Sequence, residues 1–383
     1  MRRLLFLLFI LFAIASSGQV ALLDIAQDMI QKKEYKRAQE ILLKAENNVH
    51  TQSEPRTYYL TAFLSKELFL TTIGRSKDSL RENVMINTAK CMALDKSKKF
   101  QSQCEQLNNF ALANIFNDGI VFFNNQKYKP AIGYLEDYIR RKKTKDEHWL
   151  DAKYYIGASY FHLAQMDSAI AIFELLKRHQ YDQPLLYMDL AHAYALSSSE
   201  KSLATMEEGL TRYPGNFEMQ ITELNLLSGA GKLAALETKL QAFLQEYPDH
   251  VDVLLMAATV YEKRRKDIPQ DSVYALKIQD SYQRVLRADV DNFDANYNLG
   301  VLYYNQAVEL INKQDYDIDV DKLTRILERS MRLFKESLPL LLKTHRKQTN
   351  NVQVLKALQA IYYNLNDKQQ LNEITVLISK IKI

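Results

Sequence analysis

A spacing of 34 residues constrains this chain more than any single motif in it. Gly157 to Ala191 is 34 positions, Ala191 to Leu224 is 33, Leu224 to Ala258 is 34, and Pro214 to Pro248 is again 34. Two helices of about a dozen residues and their turns fill such an interval, so the period predicts one helical hairpin per repeat. A lone hairpin cannot bury its apolar face. Stacked neighbours can, and a chain of 383 residues then grows in one dimension instead of around one core. Composition agrees: ten Gly and seven Pro are too few for the many turns of a sandwich or barrel, and 47% hydrophobic residues are too many for a disordered chain.

Inside the period a small residue is followed three positions on by a ring, nine later by Ala, and four later by a bulky residue. The copies are Gly157, Tyr160, Ala169 and Phe173; Gly119, Phe122, Ala131 and Leu135; and Ala26, Met29, Ala38 and Leu42, with Met29 in the ring's place. The small residue lets the first helix approach its neighbour, and the second Ala lets the return helix cross at short distance. This pattern resembles the tetratricopeptide repeat family, most clearly in YYIGASYFHLAQMDSAIAIF and RADVDNFDANYNLGVLYY. The resemblance implies an all-α, right-handed α-solenoid of helix-turn-helix repeats covering most of residues 19–383. Leu203 and Leu236 depart from the motif where Ala is usual, as does Ser65 where a ring is usual. The layout is also similar to exported repeat proteins of the Bacteroidetes.

Three intervals are long: Ala62 to Gly119 is 57, Ala258 to Gly300 is 42, and Gly300 to Gln359 is 59. We expect an irregular pair of helices over Ser79 to Leu94, insertions near Asp267 to Asp271 and Gln314 to Asp321 as loops or lengthened helices, and a final hairpin after a long second helix. The expected divisions are a signal peptide at 1–18, divergent repeats at 19–106, a central array at 107–250, and C-terminal repeats with capping helices at 251–383.

Leu4 to Ala15 is an unbroken apolar run behind Arg2 and Arg3, followed by Ser16, Ser17 and Gly18. It reads as a secretory signal peptide cleaved near Gly18, with an uncleaved anchor as the alternative. Its loss lowers the formal net charge from +4 to near +2, which signals neither nucleic acid nor an anionic membrane. No later stretch reaches 18 apolar residues, so no transmembrane segment is expected after cleavage. The basic runs at Lys96 to Lys99, Arg140 to Lys145, Lys263 to Lys266 and Lys343 to Lys347 fall at expected helix ends, where cations complement the helix dipole. Cys91 and Cys104 flank the polar stretch Asp95 to Lys99; they pair if that stretch turns between antiparallel helices, and otherwise stay free buried thiols.

No zinc-protease, nucleophile-elbow, paired Cys or phosphate-loop motif is present, so no catalytic residue and no cofactor are assigned. His162 and His192 fall on adjacent first helices without an evident third ligand, which favours a polar lining over a metal site. Positions three before and one, four and five after each small residue share the face opposite the hairpin contact. They give Phe116, Ile120, Phe123 and Asn124; Tyr154, Ala158, Phe161 and His162; Met188 and His192; and Tyr297, Val301, Tyr304 and Asn305. In the family such a face lines a concave groove, and one well-known groove type clamps a carboxylate with Lys, Asn and Arg. Phe116, Tyr154 and Tyr297 stand where that clamp wants polar groups. The expected function is therefore an exported, non-enzymatic scaffold holding a protein segment against aromatic residues, with a glycan or small-ligand module as the alternative. The tripeptides Asp78-Ser79-Leu80, Asp167-Ser168-Ala169 and Asp271-Ser272-Val273 look like glycan acceptors of such exports, but sit where second helices should start and read first as helix caps.

Overall fold

The computed structural model describes residues 21–74, 76–142, 144–267, 272–312 and 319–381, and every regular element among them is an α-helix. The signal-peptide reading at 1–18 lies outside the described residues, as do most of Asp267 to Asp271 and of Gln314 to Asp321. Two compact units divide between Tyr194 and Ala195. The first holds α1 (residues 21–31), α2 (Tyr35–Glu46), α3 (Pro55–Thr71), α4 (Ser76–Leu94), α5 (Gln101–Asn124), α6 (Tyr128–Arg141), α7 (Glu147–His162), α8 (Met166–Arg178) and α9 (Pro184–Ala195). The second holds α10 (Ser199–Arg212), α11 (Phe217–Gly229), α12 (Leu233–Glu246), α13 (Val251–Asp267), α14 (Ser272–Ala288), α15 (Phe293–Asn312), α16 (Val320–Lys347), α17 (Val352–Asn364) and α18 (Lys368–Lys380).

Successive helices pack as hairpins: α3 on α4, α5 on α6 and α7 on α8 in the first unit, and α11 on α12, α13 on α14, α15 on α16 and α17 on α18 in the second. First helices also touch one another, α3 with α5, α5 with α7, and α15 with α17. This is an α-solenoid of helix-turn-helix repeats, built as the small residues predict. A Cβ on Gly119 would sit 2.7 Å from Leu135, one on Gly157 2.8 Å from Phe173, and one on Gly300 2.9 Å from Leu341. The Ala of each motif is equally deep, with Ala38, Ala131 and Ala169 at 0% exposure. Among the described residues no helix is long and apolar enough to cross a membrane.

Seven residues after the small position the backbone turns left-handed, at Lys33, Gln126, Ala164, Gly231 and Asn366, with φ between 56° and 66°. Each turn closes with the same bond, such as Gln165 N donating to Tyr160 O and Lys232 N to Leu227 O. One geometry therefore links first and second helices in five hairpins, although only one of the five positions is glycine.

The first long interval, Ala62 to Gly119, is absorbed differently from the sequence expectation. Ser79 to Leu94 is not a pair of helices: it belongs to the single helix α4, and the excess before Gly119 is taken up by the lengths of α4 and α5. Further along, α13 and α15 run past the seventh position without turning, and the long second helix, α16 at 28 residues, and the final hairpin form as expected. Asp95 caps the turn after α4, accepting from Ser97 Oγ, Lys99 N and Phe100 N; these bonds hold its carboxyl below the usual range against the opposing effect of burial. That turn brings Cys91 and Cys104 into a disulfide, both at 0% exposure with Cα atoms 6.9 Å apart. Asp78 and Asp167 lie inside first turns, not at caps; Asp78 pairs with Arg81, and Ser79 Oγ donates to Ser76 O.

Candidate functional site

Because Gly119 and Gly157 draw α5 onto α6 and α7 onto α8, the opposite faces of α5 and α7 come forward together. Phe123 meets Tyr155 edge-on at 5.1 Å and Tyr128 at 5.7 Å; His162 stacks on Tyr128 at 4.7 Å with planes 11° apart, and Phe161 stands 5.7 Å from His162. These rings are half-buried, while His162 and Asn124 are exposed. Such a cluster presents rigid apolar area without being sealed into the core. Phe116 leans on Tyr138 at 5.3 Å and on His148 at 6.4 Å, and lines a recess of about 360 Å³ with Asn109, Asn117 and Lys142. Ile120 packs half-buried against the cluster of α5, α6 and α7.

Tyr154 is a support more than a contact surface. It sits 6.0 Å from Phe173 and 5.8 Å from Tyr181, and its hydroxyl donates to Asp189 Oδ2 at 2.7 Å. Burial first, and the Asp189 charge next, push that hydroxyl far above the ordinary phenol range. Met188 is 7% exposed and Ala158 4%, so neither offers surface, whereas His192 is exposed. His162 and His192 gain no metal-site geometry: among the described residues no group of three His, Cys, Asp or Glu could hold an ion.

In the second unit Tyr297 stacks on Phe293 at 6.4 Å and Tyr304 leans on Phe334 at 5.6 Å, both half-buried against the cluster of α15 to α17. Val301 and Asn305 instead line a recess of about 570 Å³ with Asn298, Glu262, Lys266 and the pair Arg265 to Glu309 at 3.4 Å. This recess mixes charges of both signs with the aliphatic Ile278 and Leu302 and has no ring in its lining, unlike the aromatic face of the first unit. Asp189 and Tyr155 were missed because both stand two before the small residue, a register just outside the positions read as groove; Asn298 holds the same register before Gly300.

Comparison with known proteins agrees with the hairpin plan. Residues 151–179 match the model of a tetratricopeptide repeat. The C-terminal part of a TPR repeat-containing protein from Cytophaga hutchinsonii is 16% identical, with 71% of this chain and 97% of that one covered at a TM-score of 0.40. A tetratricopeptide repeat protein from Parabacteroides merdae is 12% identical over 65% and 98%, at 0.36. YrrB, described as a TPR protein with an unusual peptide-binding site, is 16% identical over 51% and 95%, at 0.39. Likenesses this weak leave the hairpin plan resting on this chain's own contacts and on the matched unit. No curated protein matches the chain.

Proposed function

We propose that this chain, a tetratricopeptide-repeat protein in its matched unit and in the plan of its described hairpins, is a non-enzymatic scaffold that holds a protein segment against the open face of its first helices. The observation that carries this is the ring cluster of Phe123, Tyr155, Phe161 and His162 on adjacent first helices, fixed by mutual contacts yet open to solvent. Preordered rings supply contact area at little entropic cost, which is what an anchor for a peptide side chain requires. A random peptide library displayed on phage and panned against the full chain tests it. Peptides recovered by the wild type and lost on Phe123→Ala with Phe161→Ala, at unchanged circular dichroism, are expected; no recovery, or undiminished recovery by the variant, contradicts the scaffold reading.

The proposal includes export. The apolar run Leu4 to Ala15 behind Arg2 and Arg3 supports it, and so does the buried pair Cys91 and Cys104, since such bonds persist in oxidising compartments. Fusing residues 1–30 to alkaline phosphatase in a bacterial host should give an active enzyme; an inactive cytoplasmic fusion would argue against export.

A further inference from the structure

Between α7 and α9 of the first unit a carboxylate is held half-buried with one oxygen engaged and the other free. Asp189 Oδ2 accepts the Tyr154 hydroxyl at 2.7 Å, and Tyr154 is itself locked among Phe173, Tyr181 and Tyr155. Asp189 Oδ1 accepts no hydrogen bond from the described residues, and no lysine or arginine among them pairs with this carboxylate. His162 and His192, both exposed, lie near enough for their charge to favour its ionised form. A half-buried carboxylate with one oxygen open and no Lys or Arg partner gains from a counter-charge brought to that oxygen.

We propose that Asp189 seats an ammonium group, the Nζ of a lysine in the captured segment; this rests on the scaffold reading above and names the chemistry of its anchor. The geometry selects among cations. A guanidinium is best held by both oxygens of a carboxylate, and here Tyr154 already occupies one. A compact ammonium needs a single strong acceptor, and Oδ1 is the one Tyr154 leaves open. The lysine stem then runs along Tyr155, 5.5 Å from Tyr154, and Phe123 beyond it, burying its methylenes while the charge reaches Asp189. The surface is thus opposite in polarity to a carboxylate clamp.

The test uses the same library, built with each peptide embedded between fixed flanks so that no free amino terminus is offered, panned on the wild type and on Asp189→Asn. Asn keeps an oxygen for Tyr154 and removes only the charge. Lysine should be enriched at one position in the wild-type pool and fall to library frequency in the Asp189→Asn pool. A synthetic peptide from the wild-type pool should lose affinity at least about tenfold when that lysine is Nζ-acetylated or when Asp189→Asn is used, because a desolvated charge pair is broken. Recovered peptides without enriched lysine, enrichment of arginine instead, or equal affinity after acetylation would overturn the anchor while leaving the scaffold standing. Failure to recover any peptide would remove both.

Discussion

Burial raises the Asp189 carboxyl above the ordinary carboxylate range, and the Tyr154 hydrogen bond with the nearby histidines offsets only part of the rise. The native state then binds the proton more tightly than the unfolded chain does. The contribution of Asp189 to stability is full below about pH 3.9, the unfolded value, and is lost as pH climbs through the raised native value. Asp189→Asn should therefore melt at or above the wild-type temperature at pH 7.5, with the difference vanishing toward pH 3.5; a variant less stable at pH 7.5 would show that the carboxylate is structural. Gly157→Ala acts in the opposite direction. Its Cβ would stand 2.8 Å from Phe173 and 3.1 Å from Ile172, both in the hairpin core, so we expect a loss of about 1–3 kcal/mol in urea unfolding. That a small residue was required at 157 was legible, because its spacing to Ala169 and Phe173 is helical and recurs. Asp189 was not, since an acidic residue on a helix surface looks the same in sequence whether it faces water or an aromatic wall.

At the scale of the element, the hairpin turn carries a residue whose chemistry hides it. Lys33, Gln126, Ala164 and Asn366 adopt left-handed backbone where glycine is cheapest, and only Gly231 announces the turn. Ala164→Gly should stabilise the α7 to α8 hairpin by up to about 1 kcal/mol, read as a higher melting temperature; a loss would show that the turn is not strained at Ala164. The helices themselves were legible from apolar periodicity, but their lengths over 62–119 were not, because an excess of residues fits an added hairpin as well as two long helices. The disulfide was legible only as a condition on the turn after Asp95. It closes a short loop between α4 and α5, and replacing Cys91 and Cys104 with Ala should cost about 3 kcal/mol on a chain-entropy account. Denaturation of the double variant against the oxidised wild type measures it, and equal stability would mean the thiols do not pair.

At the scale of the whole molecule, stacking packs α5 against α3, α4, α6 and α7 yet leaves one of its sides exposed, and such a side is where recognition chemistry has room to stand. The 34-residue period runs from Gly157 to Ala258 without a break, so nothing in it marks the division between the two units at Tyr194. Nor does a common register yield a common surface: rings line the open side of α5 and α7, whereas Asn305, Glu309 and Lys266 line the recess in the second unit. The first-helix face as recognition surface is the claim on which the rest depends. Amide hydrogen exchange of the full chain, with and without a peptide recovered by the wild type, tests it most directly: slowed exchange should concentrate in α5 and α7, and slowing confined to the second helices α6 and α8 would contradict it.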